Sequence, residues 1–152
     1  MRQEYGRSLI EMLGVFAIAG AMTVSAVSIY NVIRNNQARK IASSEIEQIA
    51  LNTKLLLQLR GDYTGVSVDY LVKAGALKNN SAPIGGANWS VTAENGGAEF
   101  AINLTELSEG ECEYFTIAVP DWAKAIKVNG FETDITSQCF SSRTNQVSFI
   151  VE

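Results

Sequence analysis

Gly6-Arg7-Ser8-Leu9-Ile10-Glu11 runs straight into Met12–Ile33, MLGVFAIAGAMTVSAVSIYNVI, 22 residues without a charge or a proline. At the standard helical rise such a run covers about 33 Å, enough to cross the hydrocarbon core of a bilayer. A buried helix of a water-soluble domain would carry a polar stripe, and this run has none. A secretory signal peptide is the nearer competitor. Its apolar region usually spans about 7–15 residues and ends at a small-residue site with a polar break. Here the helical pattern continues instead, with no Gly or Pro from Ala21 to Arg60.

Along that continuation Ala42, Ile46, Ile49 and Leu56, with Leu55 and Leu59 beside them, recur at the spacing of a buried helix face. Arg39, Lys40, Glu45, Glu47 and Lys54 fall mostly elsewhere. The pattern predicts one helix from about Ser8 to Arg60, some 80 Å long at the standard rise. Its first half is apolar all round, and its second half, residues 34–60, is amphipathic. Arg34, Arg39 and Lys40 after the span lean the positive-inside rule toward a cytoplasmic C-terminal part. A short N-terminal tail followed by a domain able to form a disulfide argues for export, and outweighs that bias.

Glu11 is a lone carboxylate at the mouth of an oily helix. Such a group costs about 2.5–3.5 kcal/mol at the bilayer centre and less near the interface, so it calls for a partner. Arg7, one turn earlier, supplies one locally, at an end of the helix where acids are favoured. A cut between Gly6 and Arg7 would supply another: a new α-amino cation that packed copies of the helix could set against a neighbour's Glu11.

The bulk numbers narrow the rest. At 152 residues the chain has room for one modest domain beyond the N-terminal segment. A net charge of −4 gives no basic surface for nucleic acid, and the absence of histidine removes the usual general base and the commonest metal ligand. Asp and Glu occur singly and no nucleophile sits beside a base, so neither a catalytic constellation, a cofactor nor a metal site is expected. Cys112 and Cys139 make a poor zinc site. They can form one disulfide or sit reduced in the core, and a membrane segment that opens a route to an oxidising compartment favours the bridge.

The remainder, 61–152, reads as an αβ head. Gly61 stops the long helix. Ser67–Ala74 before Gly75 is a short capped helix, and Asn79–Gly86 is a loop. Trp89–Ala93 and Glu99–Leu104 flank Asn95-Gly96-Gly97 as a hairpin. Ser108 and Glu111 form a capping box that opens a helix through Cys112 and Phe115, ending near Val119 before Pro120. Ala125–Val128 and Val147–Val151 complete about four strands. The economical architecture is α+β, an antiparallel sheet packed on the C-terminal half of the long helix.

Residues Gly6 to Glu11 resemble the prepilin signature of the type IV pilin superfamily. There a leader ends in Gly, and a Ser/Thr-Leu-Ile/Leu-Glu series follows the first mature residue. The resemblance implies a leader 1–6 cut by prepilin peptidase between Gly6 and Arg7, and a transmembrane and fibre-core helix 7–33. Glu11, fifth after the cut, would act in assembly. Arg7 stands at the position the family N-methylates and usually fills with a hydrophobic residue, and Ser28 stands where many type IVa pilins have proline. The order of elements after residue 61 is similar to the type IVb head, in which Cys112 and Cys139 would staple a C-terminal region exposed on the fibre. Self-association into a filament is implied, with the inner-membrane assembly machinery as partner and the membrane as host before assembly. The precursor would lie in the inner membrane and the product would be an extracellular pilus serving adhesion, aggregation, motility or DNA uptake. The alternatives are a type II secretion pseudopilin and a signal-anchored periplasmic binding module that never polymerises.

Three minor motifs carry little. Arg60-Gly61-Asp62 spells an integrin-binding tripeptide, but a helix stopping at Gly explains it equally well. Asn79, Asn88 and Asn103 begin N-x-S/T matches, which matter only where a glycosylation system exists. Trp89, Trp122 and Tyr114 read as core or edge packing before they read as a ligand surface.

Overall fold

The computed structural model describes residue 34 and residues 36–132 and 139–152. The leader 1–6, Gly6, Arg7, Glu11 and the apolar run 12–33 lie outside the described residues. Among those described, no helix is long and apolar enough to cross a membrane. Two compact units divide the chain, Met1–Ala38 and Arg39–Glu152, and the second carries the sheet and its core.

Helix α1 occupies residues 36–58 and is followed by α2 (Val68–Lys73), β1 (Ser90–Glu94), β2 (Glu99–Leu107), α3 (Glu109–Thr116), β3 (Ala125–Val128), β4 (Phe131–Glu132) and β5 (Asn145–Val151). The strands form one sheet in the order β1-β2-β5-β3-β4, every pair antiparallel. Strand alternation sorts the side chains. Val91, Phe100, Ile102, Leu104, Ile126, Val128, Val147, Phe149 and Val151 join the core, where they meet Ala42, Ile46, Ile49, Ala50 and Leu57 of α1. The other face carries small polar groups. There Asn103 Nδ2 donates to Ser90 Oγ (3.1 Å) and Thr92 Oγ1 (3.0 Å), and Ser148 Oγ donates to Asn103 Oδ1 at 2.6 Å.

Local chemistry places the ends as the sequence suggests. Leu57 O accepts from Arg60 N and Gly61 N, both at 3.1 Å, and Gly61 adopts φ 96°, the left-handed stop that glycine tolerates best. Ser67 Oγ caps α2 by accepting from Tyr70 N. Both bonds of the Ser108/Glu111 capping box are present at the start of α3.

Three expectations need correction. Helix α1 ends at residue 58 and α3 at Thr116, each earlier than the sequence suggests. The sheet has five strands, because Asn129-Gly130 turns the chain back into the two-residue β4. The buried face of α1 holds Ala42, Ile46 and Ile49 as expected, with Leu56 packed against the core, but not the flanking leucines: Thr53 and Leu57 are buried, whereas Leu55 is 67% and Leu59 96% exposed. At about 100° per residue, Ala42, Ile46, Ile49, Ala50, Thr53 and Leu57 share one arc, and residues 55 and 59 lie on the far side. A threonine is tolerated in this seam because its hydroxyl is satisfied by Ile49 O at 2.6 Å.

Candidate functional site

Of the residues singled out from sequence, Gly6, Arg7 and Glu11 are outside the described residues, and Cys112 and Cys139 are joined. Their Cα atoms are 5.9 Å apart across a sequence separation of 27, within the reach of a disulfide. Helix α3 fixes one end of the bridge. Glu109 and Glu111 sit in its first turn, where the helix dipole favours acids, and Cys112 and Phe115 are buried one turn apart. Phe115 meets Phe149 of β5 edge-on, with ring centroids 6.0 Å apart, so the bridge is anchored on the central strand.

The other end is organised by Asn145, which is fully buried. Its Oδ1 accepts from Phe140 N at 2.6 Å and from Asn129 Nδ2 at 3.2 Å. Its Nδ2 faces the carbonyls of Leu107 (3.1 Å), Phe140 (2.9 Å) and Ser142 (3.1 Å). One side chain thereby ties the loop after Cys139 to the end of β2 and to the β3–β4 turn. Asn129 holds that turn with φ 50°, followed by Gly130 at φ 89°, the paired positive values that a tight Asn-Gly hairpin requires. It also exchanges two bonds with Gln146, each 2.8 Å. Sequence reading missed Asn145, yet a signal was there: it shares strand parity with Val147, Phe149 and Val151, so a polar amide stands on the core-facing side.

Other motifs resolve into structure. Trp89 is buried and donates from Nε1 to Asn80 O at 2.9 Å, and Trp122 packs on Phe149 at 5.3 Å. Asn103 is buried in the sheet's polar network, which leaves no access for a glycan. Arg60 and Asp62 face each other at 3.7 Å rather than pointing apart. Burial raises the Tyr63 phenol above its ordinary pKa. Lys124 bonds the Glu99 carboxylate, and that bond and charge raise its pKa.

Among the described residues no group of three or more metal-ligating side chains gathers. Among the described residues, large apolar side chains are exposed at Ile41, Leu51, Leu55 and Leu59 along α1, at Ile117 and Val119 after α3, and at Tyr70, Phe131 and Phe140. The Cys112–Cys139 bridge ties the segment at Cys139 covalently to α3.

No protein-family model matches the chain, and no curated protein matches it in sequence. Among solved structures it is similar to the crystal structure of a type IVb pilin from Salmonella typhi. The identity is 19%, over 67% of this chain and 91% of that one, with a TM-score of 0.45. A likeness that loose says nothing about what this chain does.

Proposed function

We propose that the chain is a structural subunit of a type IV pilus of the type IVb-like kind. In this reading prepilin peptidase cuts after Gly6, and the helix from Arg7 to about Ile33 moves from the inner membrane into the core of a surface filament. The new α-amino group of one subunit then neutralises Glu11 of the next. Contacts of this heterologous kind do not close on themselves, and they therefore generate fibres. The observation that carries the reading is the Gly6–Glu11 motif placed directly before 22 uncharged residues. The pilin fold is part of the proposal, and the packing of α1 on an antiparallel sheet with a disulfide-tied C-terminal segment is compatible with it.

Mass spectrometry of the protein from cells that express it tests the reading. A mature chain beginning at Arg7 and sedimenting in sheared extracellular filaments is the expected result. A chain that keeps Met1 and stays in the cell envelope overturns it, and a chain cut at Arg7 that never leaves the periplasm favours a pseudopilin instead.

A further inference from the structure

The chain contains two Asn-Gly pairs, Asn95-Gly96 and Asn129-Gly130. At such a pair the backbone nitrogen of the glycine can attack the side-chain carbonyl carbon of the asparagine, because glycine has no Cβ to shield that nitrogen. Both pairs lie in hairpin turns of left-handed backbone, with φ 51° and 66° at the first and 50° and 89° at the second. Whatever this backbone does to the attack, it does to both, and the surroundings alone separate them.

The Asn129 carboxamide is held at both ends. Its Oδ1 accepts from Gln146 N at 2.8 Å, and its Nδ2 donates to Asn145 Oδ1 at 3.2 Å. Asn145 is fully buried and bonded in turn to Leu107, Phe140 and Ser142. Turning the Asn129 carboxamide toward Gly130 N breaks both bonds and opens that network. Asn95 is placed the other way. Asn95 and Gly96 are exposed, and the Asn95 carboxamide has no hydrogen-bond partner among the described residues. Its backbone carbonyl accepts from Ala98 N at 3.3 Å, which leaves the side chain to rotate.

We infer that Asn95 is a self-modification site, at which the folded head converts a neutral carboxamide into a carboxylate. Gly96 N gives its proton to water and bonds to Asn95 Cγ, the Cγ–Nδ2 bond breaks, and ammonia leaves behind a five-membered succinimide. Water then opens the ring. Attack at Cγ yields aspartate, and attack at the main-chain carbonyl of residue 95 yields isoaspartate, whose backbone runs through Cγ. One water is taken up and one ammonia released, with no oxidant or reductant.

The position gives the product a consequence. Asn95 lines a cleft with Glu94, Glu99, Glu132, Lys124 and Lys127, so the new acid is a fourth carboxylate beside two lysines. Isoaspartate also lengthens a turn that is anchored one residue later, where Gly97 O accepts from Tyr63 N at 2.9 Å and Thr64 leaves no room for a side chain.

Peptide mapping by mass spectrometry tests this on the full chain, aged in detergent at neutral and at mildly alkaline pH. Residue 95 should appear as paired aspartate and isoaspartate peptides, sooner at the higher pH. Residue 129 should lag by about tenfold or more, as expected when two side-chain hydrogen bonds must break before attack. In urea with the disulfide reduced, both turns are lost and the two pairs should react at comparable rates. Asn95→Gln, which can close only a slower six-membered ring, should suppress the change at that position. An Asn95 that stays intact in the folded chain, or an Asn129 that keeps pace with it there, overturns the inference. None of these readouts involves cleavage at Gly6 or filaments, so this inference and the pilus reading can fail separately.

Discussion

Asn145 bonds both backbone polar groups of Phe140: its Oδ1 accepts from Phe140 N at 2.6 Å and its Nδ2 donates to Phe140 O at 2.9 Å. The side-chain amide thus replaces a strand partner for a loop that has none. Asn145→Ala would leave several backbone groups unpaired in a buried site, at roughly 1–3 kcal/mol for each group that water cannot reach. A loss of about 2–4 kcal/mol is expected for the whole variant. Asn145→Asp should be at least as damaging, because a carboxylate would face the carbonyls of Leu107, Phe140 and Ser142. Urea denaturation of the detergent-held chain, followed by Trp89 and Trp122 fluorescence, measures both.

The Cys112–Cys139 bridge holds the same region covalently. It closes a loop of about 28 residues, for which the chain-entropy model gives about 3–4 kcal/mol. Cys139→Ser, or reduction of the wild type, should lower stability by that order. Cys112→Ser should do more harm, because Cys112 is fully buried and its replacement puts a hydroxyl into the core beside Phe115. Alkylation mapping before and after reduction checks the bridge, and paired urea curves check the ranking.

Leu57 and Leu59 separate packing from appearance. Leu57 is 1% exposed, so Leu57→Ala should cost about 2–5 kcal/mol. Leu59 is 96% exposed, and Leu59→Ser should change stability by no more than about 0.5 kcal/mol. Equal losses in the two variants would show that the helix is rotated from the orientation described.

That pair also marks how far the sequence could be read. Signals contained in a few neighbouring residues were legible: the glycine stop at Gly61, the Ser108/Glu111 box, the Asn95-Gly96-Gly97 hairpin and the strand at Val147–Val151. Features set by distant partners were not. Spacing located the arc of Ala42, Ile46 and Ile49 on α1, but not its edges: Ala50, Thr53 and Leu57 are buried beside them, whereas Leu55 and Leu59 face outward. The role of Asn145 depends on Leu107 and Phe140. Gly6, Arg7 and Glu11 were legible as a motif alone, and they lie outside the described residues.

Lys124 gives the head an alkaline dependence. Its ammonium is held by the nearly buried Glu99 carboxylate, with Glu152 and Glu132 adding attraction, and its pKa is raised in the folded state. A lysine whose folded pKa lies above its unfolded value contributes fully below about pH 10.5, and that contribution is lost as pH rises through the folded value. Burial raises the Tyr63 phenol as well, equally in wild type and variant. Wild type and Lys124→Gln should therefore differ most at neutral pH and converge as pH rises through the raised Lys124 value, and the pH dependence of the urea midpoint reads that convergence.

Gly85 and Gly86 both abut the β2 bulge, where the register with β5 shifts between Leu104 and Leu107, but they should respond differently to an added methyl. At Gly85, φ is 82° and a Cβ would strike the backbone carbonyl of Thr105 and the Leu107 side chain, neither of which can withdraw without breaking the strand. At Gly86 a Cβ would overlap the Glu106 carboxylate, which is exposed and can swing away, but would also sit 2.8 Å from the Glu106 Cβ, which moves only with the strand. Gly85→Ala combines left-handed strain with a rigid clash and should cost on the order of 2–4 kcal/mol. Gly86→Ala, free of left-handed strain, should cost less, about 1–3 kcal/mol, the scale of overpacking alone. Urea curves that rank the two variants the other way would mean that the bulge yields more readily than the carboxylate.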